Sequence, residues 1–404
     1  MKILIVHCPY QQRGGEDSVV ADEIALLRYA GHDVETVFVP NAAISGVGSR
    51  IRTALQIADA PAGRTRVPEA IARFRPDVMH VHNFFPLVSP AVHTHARALG
   101  VATVQTLHNY RVTCAAGVLL RDGRPCETCV EGSPWNAVKH RCYRSSTVGS
   151  ASLAYMIDRH RRAGTWHRDV DRFIALSGFA RNMFARAGLP AERITIKPNA
   201  VADPGTPHAG PRAGVLYASR LSEEKGIRVL LAAARLTDVP ITVIGDGPLA
   251  TELAAAAPPN MTLLGGQDRD STRAAMGRAV AVVVPSLSYE GFPLAVVEAF
   301  AAGTPVIAAG IGSVAEIVDD GRSGWHVAPG DAAALAATID AVAGDSAEAQ
   351  RRGANARGDY RARYTPAASL AALEQVYAEA LARRHGKTEP AQRRQPATEV
   401  VHVG

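Results

Sequence analysis

Long apolar runs are absent. No stretch of the 404-residue chain approaches the ~18–20 apolar residues that span a bilayer. The opening Lys2-Ile3-Leu4-Ile5-Val6 is too short for a signal-peptide core and has no small-residue cleavage site after it. We read it as a first buried strand, and the chain as cytoplasmic. Aromatic residues are scarce, at 5%, and no basic-aromatic motif of a known nucleic-acid module occurs, which argues against nucleic acid as a partner. Only five cysteines are present, and in a cytosolic chain they form no disulfide framework. Apolar residues make up 47% and charged residues 20%, a balance that excludes wholesale disorder. At roughly 100–200 residues per domain, the length implies two domains and leaves room for three.

Charge is unevenly spread. Residues 1–198 carry 25 Lys and Arg against 16 Asp and Glu, whereas the remainder carries 19 against 22. A basic first half and an acidic second half imply different partners. An anionic membrane surface or a phosphorylated ligand suits the basic half.

Short apolar runs alternate with helix-like stretches. Residues 3–6, 34–39, 78–81 and 101–106 read as strands, and 18–30, 68–75 and 91–99 as helices, with Pro68 suited to a first helical position. Strand-helix alternation builds a parallel sheet covered on both faces. Residues 110–146, rich in Cys, Gly and Arg, break the rhythm and read as a folded insertion. A helix (151–163), strand (173–176), helix (179–187) and strand (194–196) complete a domain over 1–198. Residues 199–212, with Pro204, Gly205, Pro207, Gly210 and Pro211, read as a linker. The rhythm then restarts, with strands at 214–217, 241–244, 261–264, 279–284 and 305–308. Helices are expected at 226–234, 249–256, 271–276, 294–302 and 314–318, in a second domain over 213–365. An amphipathic helix follows at 366–385, which we expect to cross back to the first domain. The polar residues 386–404 read as a disordered tail. The fold class is α/β, with two doubly wound, Rossmann-like domains facing a cleft, and ligands are expected at the carboxyl ends of the strands.

Five short segments lie at such strand ends. In the first, Pro285-Ser286-Leu287-Ser288-Tyr289-Glu290-Gly291-Phe292-Pro293-Leu294, a glycine precedes a helix whose free N–H groups favour a phosphate, with Glu290 before the helix and Glu298 on it. The plain alternative is a loop acid and a helix-surface acid. In the second, Arg220 and Lys225 follow the first strand of the second domain, where they either grip a diphosphate or belong to a solvated charge run. Gly245 and Gly247 flank a base or ribose, or form an ordinary tight turn. Arg13-Gly14-Gly15-Glu16-Asp17 is not the G-x-G-x-x-G fingerprint, but a glycine pair opening a helix still approaches a phosphate. His108, in Thr106-Leu107-His108-Asn109-Tyr110, ends a strand and is expected to point into the cleft.

Together, Glu290-x7-Glu298 with Gly291-Phe292-Pro293, Arg220 with Lys225-Gly226, Gly14-Gly15 and His108 resemble the family-four retaining glycosyltransferases of GT-B architecture. The likeness covers about residues 1–380. Gly15-Glu16-Asp17, Leu107-His108-Asn109-Tyr110-Arg111 and His140-Arg141-Cys142-Tyr143-Arg144 resemble a polysaccharide-assembly branch of that family. The resemblance implies a nucleotide-diphosphate sugar as donor and a glycan or lipid-linked acceptor, with no cofactor or metal needed for catalysis. It implies that Arg220 and Lys225 neutralise the diphosphate, Glu298 binds the ribose, and Glu290 binds the donor sugar. It further implies that Phe292, Leu294 and the turn at Gly291 hold sugar and phosphate, and that His108 contacts the sugar from the opposite wall. Gly14 and Gly15 would sit by the phosphate and admit the acceptor, with Gly245 and Gly247 bordering the base. A sugar-nucleotide 2-epimerase and a catalytically idle binding protein of the same fold are the alternatives.

Cys114-x11-Cys126-x2-Cys129-x12-Cys142 matches a four-thiolate structural zinc site in ligand number, although free thiols or a redox pair fit the same spacing. An insertion poor in apolar residues would gain stability from such a metal. Lys139, Arg141, Arg144, Arg159, Arg161, Arg162 and Arg168 cluster in the first domain. They form a solvated face or a seat on anionic lipid at the inner membrane surface.

Overall fold

The computed structural model describes residues 1–10, 14–41 and 46–386. Arg13 and the expected tail from 387 onward lie outside the described residues. The chain forms β1 (Lys2–His7), β2 (Asp33–Phe38), β3 (Val78–Asn83), β4 (Ala102–Thr106), a hairpin of β5 (Leu120–Arg121) and β6 (Arg124–Pro125), then β7 (Arg172–Ala175) and β8 (Ile194–Ile196). All but the hairpin strands join one parallel sheet in the order β2-β1-β3-β4-β7-β8. A second parallel sheet follows, made of β9 (Val215–Ala218), β10 (Ile241–Ile244), β11 (Met261–Leu263), β12 (Ala281–Val284), β13 (Val306–Ala309) and β14 (Gly324–Val327). Its order is β11-β10-β9-β12-β13-β14. Residues 3–6 of β1, with β12 and β13, are runs of Ile, Leu, Val and Ala buried as helix-covered parallel sheets require, whereas the equally buried β3 and β4 carry His80, His82, Thr103 and Gln105.

Counted within each domain, the strand orders are 2-1-3-4-5-6 and 3-2-1-4-5-6. The direction of winding reverses between β1 and β3 in the first sheet and between β9 and β12 in the second. Crevices at such reversals are where open α/β sheets bind ligands.

The helix Pro366–Arg384 begins with Thr365 accepting a bond from the Ala368 amide and with proline at its first position. Its Leu373, Val376, Tyr377 and Ala380 are buried against Ile3, Ile5, Val104 and Ile174 of the first sheet. Burying each large side chain stabilises this docking by roughly 1.5–3 kcal/mol. The end of the chain thus packs onto the domain in which the chain begins.

Two local expectations need correction. The helix expected from Pro68 begins at Arg66, so the proline sits at its third position, where its missing N–H has no intrahelical acceptor anyway. A separate turn, Pro61–Arg64, has the proline at its start. The insertion is not poor in anchoring residues: Tyr110, Val112, Ala115, Leu119, Val130 and Ala137 are buried in the first domain's core. No helix among the described residues is long and apolar enough to cross a membrane.

Candidate active site

The second sheet's reversal point is spanned by an ion pair. Lys225 follows β9 and Glu290 follows β12, and the Lys225 ammonium lies 2.5 Å from Glu290 Oε2. The other oxygen of Glu290 accepts a 2.6 Å bond from the Ser286 hydroxyl. Gly226 makes this approach possible. It adopts φ +71°, and a Cβ there would stand 1.8 Å from the Pro285 carbonyl. Arg220 is exposed on the same loop, and its carbonyl accepts a bond from the Tyr217 hydroxyl at 2.9 Å. Gly245 and Gly247 line the other side of that loop, where the Leu221 amide bonds the Asp246 carbonyl at 2.9 Å.

The first domain meets this loop directly. A side chain at Gly291 would collide with the His108 carbonyl, which a Cβ would meet at 2.1 Å. The Tyr110 hydroxyl reaches the Glu290 carbonyl at 3.5 Å. Gly15 opens the helix Gly15–Tyr29 and abuts Leu294, the first residue of the helix Leu294–Ala301. Gly14 donates its amide to Asp17 at 2.8 Å. His108, Gly15, Gly291, Leu294, Glu290 and Lys225 therefore come together between the domains. Phe292 packs beside them, with its ring 6.1 Å from that of Tyr364.

Glu298 is half-buried and paired with Arg269 at 3.5 Å, and Arg269 in turn reaches Asp22 of the first domain at 2.7 Å. Burial pushes its carboxyl up, and Arg269 and Arg273 oppose that rise. Sequence reading missed Arg269, which closes an acid–base–acid chain across the cleft. It also missed a strut. The Tyr289 hydroxyl donates to Glu127 at 2.8 Å, and Arg186 holds Glu127 at 2.8 Å. This ties the Cys-rich insertion to the loop that carries Glu290.

His108 is half-buried, and its Nε2 turns inward to His82 Nδ1 at 2.9 Å, not wholly into the cleft. His82 and His80 lie two residues apart on β3 and so share one face. Both approach Glu23, which Lys197 holds at 3.0 Å. Among the described residues, Glu23, His80 and His82 are the one group with three ligand atoms at metal-binding separations. Both nitrogens of His80 are already bonded, to the Tyr377 and Thr106 hydroxyls, and Lys197 already supplies the cation. The alternating His-x-His of β3 was the available sequence signal for this cluster.

At the end of β1, Glu16 accepts a 2.9 Å bond from the Tyr10 hydroxyl. Its other oxygen and His7 Nδ1 are both buried without a hydrogen-bond partner, 3.9 Å apart. Burial pushes the Glu16 carboxyl up to about 8, with the charge of Asp17 adding to the rise against the pull of Tyr10 and Arg111.

Cys114, Cys126, Cys129 and Cys142 are free and half-buried. Burial, and then the charges of Cys114, Cys142 and Cys126, push the Cys129 thiol up to about 11, so the four sulfurs share one neighbourhood. No three of them approach each other as closely as the ligand atoms of Glu23, His80 and His82 do. Four members of the expected basic patch are already engaged, among them Arg159, which donates to the Tyr155 hydroxyl at 3.0 Å. Arg161 bonds the Gly132 carbonyl, Arg162 pairs with Asp158, and Arg168 pairs with Asp169. Lys139, Arg141, Arg144 and Arg159 remain exposed, near exposed Trp135, Val148 and Tyr155.

Two sequence families match the chain. Glycosyltransferase Family 4 matches residues 13–203, and Glycosyl transferases group 1 matches residues 203–359. Both are transferase families, which disfavours the epimerase alternative. A glycogen synthase of Mycobacterium tuberculosis is 37% identical over 194 residues, 46% of this chain and 46% of the synthase, so the chain spans about half the length of that relative. A phosphatidyl-myo-inositol mannosyltransferase of Mycolicibacterium smegmatis is 28% identical over 92% of each chain. Among solved structures, a sucrose-phosphate synthase of Thermosynechococcus elongatus superposes with a TM-score of 0.71 at 20% identity, covering 94% of this chain and 99% of that one. Anabaena HepE, solved in complex with UDP-glucose, superposes with a TM-score of 0.65 at 18% identity, covering 94% and 100%. These two likenesses concern the fold. With the family matches running end to end over most of the sequence, and two parallel-sheet domains meeting at their strand ends, the chain belongs to the family-four glycosyltransferases of GT-B fold.

Proposed function

We propose that the protein transfers a sugar from a nucleotide-diphosphate donor to a glycan or lipid-linked acceptor, with retention at the anomeric carbon and without a catalytic metal. The observation that carries this reading is the Lys225–Glu290 pair across the β9/β12 reversal, capped from the other domain at Gly291. Cleaving the sugar–phosphate bond builds negative charge on the departing diphosphate. Fixed cations aimed at that charge are the largest catalytic contribution available. Lys225 and Arg220 supply them. The acceptor oxygen bonds to the anomeric carbon on the face the diphosphate leaves, and a diphosphate oxygen takes the acceptor proton. Glu290 and His108 bind sugar hydroxyls, Glu298 the ribose, and Gly245 and Gly247 border the base. The complexes of HepE with UDP and UDP-glucose support a nucleotide donor of this kind.

A panel of nucleotide diphosphates and their sugars, read by thermal shift, tests the donor site, because a ligand that binds only the folded state raises its melting point. One nucleotide is expected to stabilise the protein, and Lys225→Ala is expected to lower transfer by about 10²–10³-fold. No stabilisation by any nucleotide, or full turnover in Lys225→Ala, overturns the reading.

Two finer assignments belong to it. The exposed Lys139, Arg141, Arg144 and Arg159, with Trp135, Val148 and Tyr155 beside them, suit a peripheral seat on an anionic inner membrane face. Equal sedimentation with neutral and anionic vesicles sinks that idea. Cys114, Cys126, Cys129 and Cys142 would hold a structural zinc as thiolates, and the metal would staple the insertion. Elemental analysis is expected to find one zinc per chain, and its absence from freshly purified protein removes the assignment.

A further inference from the structure

The buried polar cluster beneath His108 has a logic that fixes protons. Burial alone would raise the Glu23 carboxyl, yet the charge of the Lys197 ammonium beside it, more than any other neighbour, holds it well below the usual carboxylate range. An ionised carboxylate only accepts hydrogen bonds. Glu23 Oε1 and His82 Nε2 are both buried without a hydrogen bond to any other group, and they lie 3.1 Å apart, at ion-pair distance. A bare ring nitrogen against a carboxylate would set two lone pairs together in a site that water does not reach. In a neutral His82 ring the one proton therefore sits on Nε2, which leaves Nδ1 bare.

That bare Nδ1 lies 2.9 Å from His108 Nε2, so His108 is the donor of this bond. Burial and the neighbouring His82 keep His108 well below the ordinary histidine range, so its ring is neutral and carries one proton. With that proton on Nε2, the other ring nitrogen of His108 is a lone pair. The Nδ1 bonds no described residue and is not among the buried, unpartnered atoms, while the His108 carbonyl rests on Gly291. His80 does not disturb the order, because its nitrogens are committed to Tyr377 and Thr106 at 2.8 and 2.7 Å.

We propose that Glu23 and His82 are positioning residues that hold His108 as its Nε2–H tautomer, so that a lone pair on Nδ1 faces the cleft and accepts a hydrogen bond from a substrate hydroxyl. This rests on reading the cleft as a sugar-transfer site, and it deepens that reading. It gives the first-domain wall a chemical preference. A hydroxyl can donate to His108, whereas a carbonyl or carboxylate at the same place cannot. A sugar lacking that hydroxyl is expected to lose about tenfold in kcat/KM, with nucleotide diphosphate binding unchanged.

The test uses the full chain labelled with 15N-histidine. Ring nitrogen shifts separate protonated from bare nitrogens, and the His108 signals are assigned by their loss in His108→Gln. In the wild type, His108 is expected to show a protonated Nε2 and a bare Nδ1. In His82→Phe, and independently in Glu23→Gln, that preference is expected to collapse toward a mixture of tautomers. His82→Phe is also expected to lower kcat/KM about tenfold while leaving the Kd for nucleotide diphosphate as it was. A protonated Nδ1 on wild-type His108 overturns the proposal, and so does an unchanged tautomer in either variant that still melts cooperatively. The wild-type spectrum decides the matter even if neither variant folds. It is also independent of turnover, so a protein with the expected tautomer but no donor would defeat the proposed function and leave the relay standing.

Discussion

The two sheets carry polarity in opposite ways. At the second sheet's reversal the charged groups stand on loops, with a half-buried Lys225 over a buried Glu290 and glycines letting the backbones close. At the first, the polar groups lie underneath, on strand and helix, and all of Glu23, His80, His82 and Lys197 are buried. Lys225, part-exposed on its loop, can exchange partners when a diphosphate arrives. The buried groups of the first sheet cannot, because each depends on its neighbours for every hydrogen bond. The contrast separates a wall that answers to charge from a wall that fixes the direction of hydrogen bonds.

Removing Lys197 is the most severe way to break this contrast. Lys197→Met leaves Glu23 buried without its cation, and stripping one partner from a buried pair typically costs about 3–5 kcal/mol. Denaturant unfolding is expected to show a loss on that scale. The same truncation of Arg228, whose pair with Glu252 is exposed, is expected to leave the midpoint nearly in place. Equal effects from the two variants would mean that the first domain's cluster is solvated.

Glu16 sharpens the comparison through pH. Its folded value of about 8 exceeds the ordinary 4.5, so the folded chain binds this proton more tightly than the unfolded one does. Stability from this group is therefore full below about 4.5, falls as pH rises toward 8 and is flat beyond. Glu16→Gln removes the dependence. The difference in unfolding free energy between wild type and variant is expected to change with pH across this window, by at most about 1.4 kcal/mol per unit. Parallel curves for the two proteins would show that Glu16 is ionised in the fold.

Much of the architecture was legible because it is local. Buried parallel strands announce themselves as short Ile, Val and Ala runs, and the residues at their ends fall where a site must be. What was not legible depends on distance or weak pattern. The helix Gly46–Gln56 holds two glycines and leaves Ile51 and Leu55 exposed, and β14 with the helices Ala332–Gly344 and Ser346–Arg363 followed a motif-free stretch. Lys197 meets Glu23 across 174 residues, and no spacing rule links them. His80 and His82 were visible as a pair, but their role depends on what the helix Gly15–Tyr29 sets opposite them.

The smallest expected effect concerns the strut between the halves. Tyr289→Phe keeps the ring against Phe179, whose centroid lies 4.7 Å away, and removes only the hydroxyl that bonds Glu127. Losing one such bond costs about 1 kcal/mol. Glu127 keeps Arg186, so no buried charge is stranded and the fold is expected to hold. The loop bearing Glu290, however, loses its tie to the insertion. If that tie sets the loop's position, donor KM rises a few-fold while the nucleotide-free melting point moves little. An unchanged KM would mean that Gly291 on the His108 carbonyl and Tyr110 on Glu290 are enough to seat the loop, and that the insertion with its four cysteines serves the first domain alone.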